Sequence, residues 1–211
     1  MKKILNIIFS VCFSILIITG VIKFTVGFKE IYYYDISSLD IPKLSGLTEE
    51  EIRLNYDYLI DYNLSRDKKE FKMPTIPSSP QGKIHFEEVR DIFQNINKIF
   101  NITLGISLVG IIINIKNKNL SFLKITSISL ISIPVILSIP IIINFEYSFT
   151  MFHKLMFDND YWIFNPKIDP VITMLPEAFF FHAGLMMLAL IFLSSMLIYI
   201  IYRLLRKKGV Q

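Results

Sequence analysis

The chain has few of the residues on which most hydrolases and transferases depend. Only one of its 211 residues is a cysteine and only three are histidines. A single cysteine cannot form a disulfide framework, and Cys12 lies in an apolar run where a small buried side chain is the ordinary interpretation. The sequence also lacks the Gly-x-Ser-x-Gly nucleophile elbow and the His-Glu-x-x-His zinc motif. These absences exclude the commonest serine-hydrolase and helix-borne zinc sites.

Acidic residues are missing from most of the chain. All 18 Asp and Glu residues lie either between Glu30 and Asp91 or between Glu146 and Glu177. The other segments are long apolar runs and short tails that carry Lys and Arg but no acidic residue. With 53% hydrophobic residues and a mean hydropathy of +0.50, the composition is not that of a soluble domain. It indicates a small multi-pass membrane protein.

Four apolar runs are long enough to cross a bilayer. The hydrocarbon core is about 30 Å thick and requires about 20 helical residues, and a segment inside it must satisfy its own backbone hydrogen bonds. The runs are residues 4–28, 92–115, 120–144 and 178–202. We therefore predict an all-α membrane protein with four transmembrane helices. A small, mostly helical extracytoplasmic cap is predicted for residues 29–91.

Positive charge predicts the orientation of these helices. Short basic loops and tails stay in the cytoplasm, and nine cations without acidic neighbours flank the runs on one side. They are Lys2, Lys3, Lys116, Lys118, Lys124, Arg203, Arg206, Lys207 and Lys208. Both termini are therefore predicted to be cytoplasmic, and residues 29–91 and 145–177 to be extracytoplasmic. The cations lack the interleaved aromatic residues of a nucleic-acid surface, so no nucleic acid is expected as a partner.

The first outer segment contains a clear helix start. Thr48 and Glu51 have the spacing of a capping box, and the amphipathic helix that follows is predicted to end at about Leu64. The proline-rich stretch 73–82 is predicted to be a non-helical loop. It is either a passive connector or a mobile flap.

The second outer segment, residues 145–177, is rich in aromatic side chains. An aromatic belt at the membrane interface explains part of this enrichment. A belt does not require a histidine among the aromatic residues, such as His153, or the acidic pair Asp158 and Asp160 that follows it. The outer rim of the protein is therefore predicted to form an aromatic basin.

All three histidines are predicted to lie at this rim. His85 begins the second membrane helix with Glu88 one turn further on, His153 follows the third helix, and His182 begins the fourth. Ionisable side chains from three elements at the membrane boundary indicate a chemical role for at least two of them. The residues alone leave two chemistries open. One is general acid–base catalysis with a nucleophile supplied by the substrate, and the other is a three-histidine metal site.

Two motifs around these histidines carry a family resemblance. The first, His-Phe-x-Glu-Val-x-Asp, begins at His85. The second, Phe-His-x-x-x-Phe-x-x-x-x-Trp-x-Phe-x-Pro-x-x-Asp-Pro, begins at Phe152 and is followed by Pro-Glu-x-Phe-Phe from Pro176. Together with the four runs and the cap they resemble the lipoprotein intramolecular transacylase (Lit) family of bacterial membrane proteins. The resemblance covers essentially the whole chain, and the second motif is the more specific.

The resemblance implies an acyltransferase of the bacterial cell membrane. It implies two catalytic histidines where the cap meets the membrane, and His85 and His153 stand at those motif positions. The implied reaction moves the sn-2 acyl chain of a diacylglyceryl-Cys lipoprotein to the α-amino group of the same Cys, which gives a lyso-form lipoprotein. The implied partners are the diacylglyceryl lipoprotein substrate and membrane lipid, with no cofactor and no metal. His182 lies outside these motif positions, and a structural role is expected for it.

Further side chains are predicted to assist the two histidines. Three carboxylates are candidates for orienting them: Glu88, Asp91 and Asp158. The first two follow His85 on its helix and the third follows His153, and the alternative for each is a solvated surface carboxylate. Three aromatic residues are predicted to bind substrate: Phe86, Phe152 and Trp162. Their alternative role is interfacial anchoring.

Two other functions stay open on the sequence. A metal-dependent membrane hydrolase would use all three histidines as ligands. A non-enzymatic membrane chaperone or sensor would bind its partner through the cap and sense pH through the histidines. The sequence does not predict the oligomeric state, the preferred lipoprotein or the preferred acyl chain.

Overall fold

The computed structural model describes residues 2–67 and 69–209. Within those residues it has nine helices and no strand: α1 Lys2–Gly27, α2 Glu30–Ser38, α3 Ile41–Ser45, α4 Glu49–Leu64, α5 Pro80–Lys116, α6 Ser121–Ile143, α7 Phe145–Met156, α8 Val171–Met174 and α9 Glu177–Lys207. Four of them, α1, α5, α6 and α9, are long and apolar enough to cross a membrane. The predicted all-α membrane fold with four transmembrane helices is therefore confirmed.

Helix α5 is longer than a bilayer requires. Its 37 residues extend over about 55 Å, whereas the hydrocarbon core is about 30 Å thick. Charged residues crowd its first turns, among them Glu87, Glu88, Arg90 and Asp91. We therefore expect this charged end of α5, with His85, to lie outside the hydrocarbon.

The prediction of a non-helical stretch was wrong for its last three residues. Helix α5 begins at Pro80, because a proline at the first helical position forfeits no hydrogen bond and its fixed φ suits a helix. Residues 73–79 are non-helical as predicted. Met73 and Ile76 are buried in a core with residues of α2 and α4. The stretch is a packed connector.

The chain forms two compact units. The bundle unit comprises Met1–Phe24, Ile96–Ile139 and Met186–Gln211. The cap unit comprises Thr25–Asn95 and Pro140–Leu185. All 18 acidic residues and all three histidines therefore belong to the cap unit.

Small hydroxyl side chains join α1 to α6 in the bundle unit. Ser10, Ser14 and Thr126 are fully buried. The Ser10 hydroxyl donates to the carbonyls of Asn6 and Phe122 at 2.8 and 3.2 Å, and the Thr126 hydroxyl donates to the Ser10 carbonyl at 3.3 Å. Small side chains let helix backbones approach closely, which favours helix association in lipid.

Helix α5 also approaches α1 closely, at Gly110. A Cβ atom at Gly110 would lie 2.6 Å from Cγ and 2.9 Å from Cβ of Phe9. A Cβ atom at Gly105, earlier on the same helix, would have nothing within 4 Å. Packing therefore requires glycine at position 110 and does not require it at position 105.

Aromatic stacking fills the core of the cap unit. Tyr32 of α2 stacks on Tyr56 of α4 with ring centroids 3.7 Å apart, and Phe179 of α9 meets both rings edge-on at 5.0 and 5.8 Å. The Tyr32 hydroxyl donates to the Met174 carbonyl at 2.6 Å. This core joins α2, α4, α8 and the first turn of α9.

Helix α4 forms as the sequence predicts. The Thr48 side chain accepts a hydrogen bond from the Glu51 backbone N–H, and the Glu51 carboxylate accepts one from the Thr48 N–H. The helix ends at Leu64, and its predicted apolar face, including Ile52 and Tyr56, is buried in the cap core. The capping box is confirmed.

Replacing Gly110 by alanine is expected to destabilise the protein. The added methyl group collides with Phe9, and overpacking of this kind costs about 1–3 kcal/mol. Gly105→Ala is the matched control, because it makes the same change in open space on the same helix. The melting temperature of the detergent-solubilised protein should fall in G110A but not in G105A. When Phe9 is also replaced by alanine, G110A should lower the melting temperature by less. Equal melting temperatures for G110A and G105A would contradict the packing argument.

Candidate active site

The first turn of α5 is fastened to the loop that precedes α8. The Ser79 backbone N–H donates to Oδ1 of Asp169 at 2.7 Å, and the Ser79 hydroxyl accepts from the Gly82 N–H at 2.9 Å, as an N-cap does. A Cβ atom at Gly82 would lie 2.5 Å from Oδ1 of Asp169, so glycine permits this approach. The contact fastens the start of α5, about one turn before His85.

His85 is buried among aromatic rings, with 5% of its surface exposed. Its ring centroid lies 4.7 Å from Phe157, 5.4 Å from Phe164 and 5.5 Å from Phe86. Its Nδ1 atom is buried and makes no hydrogen bond with the described part of the chain. Most buried polar atoms in proteins are paired, so this nitrogen is a candidate to contact substrate.

Helix α7 carries His153. The Asn144 side chain caps this helix by accepting from the Tyr147 N–H at 2.9 Å. Nδ1 of His153 lies 2.7 Å from the Phe149 carbonyl oxygen. Because a carbonyl oxygen only accepts, Nδ1 of the neutral ring carries the proton and Nε2 presents its lone pair.

The two imidazoles are neighbours. Their ring centroids are 6.1 Å apart, and Phe157 contacts both, at 4.7 Å from His85 and 5.7 Å from His153. Trp162 lies 4.9 Å from His153 with the rings inclined by 31°. The aromatic residues in contact with the two histidines form the aromatic basin: Phe86, Phe149, Phe152, Phe157, Trp162 and Phe164.

Burial lowers the pKa of both imidazoles. The pKa of His85 falls to about 4, first because burial penalises the charged ring and second because a charge on His153 opposes one on His85. Burial also lowers the pKa of His153, although its hydrogen bond to the Phe149 carbonyl opposes the shift. Both rings are therefore neutral at pH 7, and Nε2 of His153 is suited to accept a proton.

The structure separates the three predicted orienting carboxylates. Oε1 of Glu88 accepts from the Asn159 side-chain amide at 2.8 Å, and the Asn159 carbonyl accepts from the Trp162 indole N–H at 3.1 Å. Asp91 and Asp158 are exposed, and neither bonds to a histidine in the part of the chain that the structure describes. Glu88 is thus the carboxylate connected to the basin, and an orienting role for any of the three stays a prediction.

The three predicted substrate-binding aromatic residues occupy different depths. Phe86 is buried and stacks on Phe71 at 4.7 Å and on Phe164 at 5.7 Å, so it supports the wall of the basin. Trp162 is half-buried, and Phe152 is 51% exposed and meets His153 edge-on at 5.4 Å. The last two are more accessible to a ligand, and contact with substrate stays a prediction for all three.

His182 is paired with Asp35 of α2. Its Nδ1 lies 2.9 Å from both carboxylate oxygens of Asp35, which is fully buried. The pair joins α9 to α2 within the cap unit, as the expected structural role requires. Among the residues that the structure describes, no three His, Cys, Asp or Glu side chains are grouped to hold a metal ion.

Comparison with known proteins bears on this site directly. The family model for lipoprotein intramolecular transacylase Lit matches residues 7–180. The chain belongs to the lipoprotein intramolecular transacylase family. No curated protein sequence matches it. Family membership confirms the resemblance carried by the two histidine motifs, and it makes the chain an acyltransferase.

Solved structures of the family agree in fold. The membrane integral lipoprotein intramolecular transacylase Lit from Bacillus cereus is 41% identical, with a TM-score of 0.96 over 99% of this chain and 97% of that chain. Two further structures are of the Bacillus cereus protein with the H85R or H85A mutation. Each is 40% identical with a TM-score of 0.91 over 99% of this chain, and 93% and 95% of those chains are covered. This chain, like that protein, is an integral multi-pass membrane protein.

Sequence reasoning missed helix α7 and the role of Asn159. The helix has two readable signals: Asn144 is a good N-cap, and Phe145, Phe149 and His153 recur every four residues on one face. Asn159 has no such signal, because an asparagine among acidic residues in a loop is typical of any turn. Its bonds to Glu88 and Trp162 become visible only in the folded chain.

Removing His153 is expected to raise the pKa of His85. Both causes of its low value are weakened in His153→Gln, since the neighbouring charge disappears and the ring loses part of its apolar cover. Imidazole resonances in NMR spectra of the solubilised protein, followed against pH, measure this shift. In the unsubstituted protein both histidines should titrate below 6.5, their ordinary value. A His85 midpoint at or above 6.5 would contradict the burial argument.

Proposed function

We propose that the chain moves the sn-2 acyl chain of a diacylglyceryl-Cys lipoprotein to the α-amino group of the same N-terminal Cys, by general acid–base catalysis with His85 and His153. The observation that carries this proposal is the pair of neutral imidazoles, 6.1 Å apart, inside an aromatic basin. Acyl transfer to an amine requires that a proton leave the nitrogen and reach the departing oxygen. Two neighbouring imidazoles are suited to that task.

The reaction balances within a single substrate molecule. The α-amino nitrogen forms a bond to the ester carbonyl carbon, and the bond from that carbon to the sn-2 oxygen breaks. One proton passes from the nitrogen to the sn-2 oxygen. The product is an N-acyl, monoacylglyceryl lyso-form lipoprotein of unchanged mass, and the reaction needs no external acyl donor.

His153 is assigned as the proton acceptor. The Phe149 carbonyl holds its proton on Nδ1, which leaves Nε2 free to take a proton from the amine. Burial lowers the pKa of His85 to about 4, so this ring gives up a proton readily once it carries one. His85 is therefore assigned as the donor to the departing glyceryl oxygen: it receives the amine proton from His153 and passes it to that oxygen as the carbon–oxygen bond breaks, so both rings end neutral.

The aromatic basin serves a substrate that must fold back on itself. Reacting groups held in the correct geometry reach effective molarities of up to about 10⁸ M. Aromatic walls bury acyl chains and exclude the water that would otherwise hydrolyse the ester. The basin residues around the two histidines therefore both bind the lipid and protect the reaction.

We place this chemistry at the outer face of a bacterial cell membrane, with both termini in the cytoplasm. The support is the segregation of charge, since all acidic residues lie in 29–91 and 145–177 and the intervening loop and the tails are basic. A lipoprotein anchored in the outer leaflet then brings its diacylglyceryl-Cys to the cap unit. Diacylglyceryl lipoprotein and membrane lipid are the proposed partners.

The source of the acyl chain distinguishes this mechanism from others. Purified protein and a diacylglyceryl lipopeptide, without added phospholipid, should give an N-acyl, monoacylglyceryl product of unchanged mass. A mixture of heavy-labelled and unlabelled lipopeptide should give no crossed product in mass spectrometry, because each acyl chain stays in its own molecule. Crossed label, or a product heavier by one acyl chain, would rule out intramolecular transfer.

The same assay tests the two histidines. His85→Ala and His153→Ala should each reduce the rate by at least about 100-fold, the usual contribution of an acid–base group. Cys12→Ser is the control and should retain activity, because no acyl-cysteine intermediate is involved. Loss of turnover in a folded Cys12→Ser variant would favour a covalent mechanism instead.

The orientation is tested by thiol labelling. In a Cys12→Ser background, a membrane-impermeant reagent added to intact cells should label Lys167→Cys, which is exposed in the second outer segment. Asn117→Cys, exposed in the turn between α5 and α6, should be labelled only after the membrane is opened. The reverse pattern would place the basin in the cytoplasm.

A further inference from the structure

Only one of the two carboxylate oxygens of Glu88 has a hydrogen-bond partner in the described chain. Its Oε1 accepts from the Asn159 amide at 2.8 Å, whereas its Oε2 is buried and makes no hydrogen bond with the described chain. The nearest cation on the same helix is Arg90, whose guanidinium donates instead to the carbonyls of Ser65 and Arg66, at 3.2 and 3.1 Å. One carboxylate oxygen therefore keeps its full capacity to accept hydrogen bonds.

This carboxylate is connected to both catalytic histidines. Glu88 lies three residues after His85 on α5, the spacing at which helical side chains are neighbours. Its partner Asn159 accepts from the Trp162 indole N–H, and Trp162 packs on His153 at 4.9 Å. One carboxylate oxygen is thus oriented by Asn159, which connects it to Trp162 of the aromatic basin, and the other is buried without a partner.

We infer that Oε2 of Glu88 binds the α-ammonium group of the substrate's N-terminal Cys. The inference rests on the proposed function, because it assigns the group that recognises the amine in that reaction. The neutral imidazoles carry no negative charge to offset an ammonium group, whereas a buried carboxylate oxygen forms a strong charge-assisted hydrogen bond with it. The aromatic basin recognises lipid, and Glu88 recognises the free amino terminus that distinguishes a diacylglyceryl lipoprotein not yet acylated on its nitrogen.

The same contact assists the chemical step. After His153 removes one proton, the neutral amine still donates an N–H to Oε2, and this directs its lone pair away from the carboxylate. When the nitrogen bonds to the ester carbon it becomes positively charged, and the adjacent carboxylate stabilises that charge. The first proton leaves His153 for solvent. The second passes from the positively charged nitrogen through His153 and His85 to the sn-2 oxygen as the carbon–oxygen bond breaks, so the ammonium form of the substrate releases one proton overall.

Binding of unreactive analogues tests the assignment without turnover. One analogue is a dialkyl-ether lipopeptide, whose ether bonds replace both esters and which carries the free α-amino group. The other is the same molecule with hydrogen in place of the amino group. Trp162 is the one tryptophan of the chain and packs on His153, so its fluorescence reports occupancy of the basin.

The unsubstituted protein should bind the amino analogue at least about tenfold more tightly than the des-amino analogue near pH 6.5, where the amine is charged. The preference should shrink near pH 9 as the amine loses its charge. Glu88→Gln keeps an oxygen for Asn159 but removes the negative charge, and should abolish the preference. Glu87→Gln, an exposed neighbour on the same helix, should preserve it.

Each remaining outcome is decisive. Equal affinity of the unsubstituted protein for the two analogues, or a preference that survives in Glu88→Gln, would overturn the inference and leave the proposed function standing. If the unsubstituted protein bound neither analogue, the lipoprotein substrate itself would be wrong and the inference would fall with it. The first arm uses the unsubstituted protein alone, so the test stands even if Glu88→Gln fails to fold.

Discussion

The site depends on the burial of two imidazole rings among aromatic side chains, because burial requires both rings to stay uncharged. A charged ring in that setting loses its hydration, and no carboxylate of the described chain is bonded to either ring, so both rings are held neutral. A hydrolytic Ser-His-Asp triad is built differently, because its buried aspartate stabilises the imidazolium. Here His153 is held by a carbonyl, and Nδ1 of His85 has no bond to the described chain. The neutral state that burial imposes is also the state that accepts a proton from an amine.

The positions of the rings depend on a few polar contacts at helix ends. Asp169 fastens the first turn of α5, and Asn144 caps α7. Asn159 then ties the loop after α7 back to α5 through Glu88. Each contact satisfies a backbone or side-chain group that would otherwise be unpaired at the end of a helix or in a loop. The aromatic residues supply the buried area, and these hydrogen bonds decide which aromatic residue faces which imidazole.

Environment gives the three histidines different roles. Burial among aromatic rings keeps His85 and His153 uncharged and next to each other. His182 belongs to the same unit, yet its Nδ1 is bonded to the fully buried Asp35, so its ring serves to satisfy a carboxylate and to join α9 to α2. The same side chain is therefore neutral and buried among aromatic rings in two places, and paired with a buried carboxylate in the third.

The sequence by itself determined the membrane class, the four spanning helices, the capping box at Thr48 and the family. Each of these depends on local features: the length of an apolar run, the separation of acidic from basic residues, or the spacing within a motif. The start of α5 and the helical state of α7 were readable only in part, because proline and aromatic residues are compatible with either state. Only the tertiary structure decided that Glu88 is hydrogen-bonded to Asn159, that Phe86 packs in the basin wall and that Asp35 is paired with His182. The two hydrogen bonds join residues 71 and 147 positions apart, and Phe86 of α5 stacks on rings that lie outside any helix, Phe71 and Phe164. No local pattern records such pairings, because they arise when separate elements bury their aromatic faces together and their polar groups must find partners inside that core.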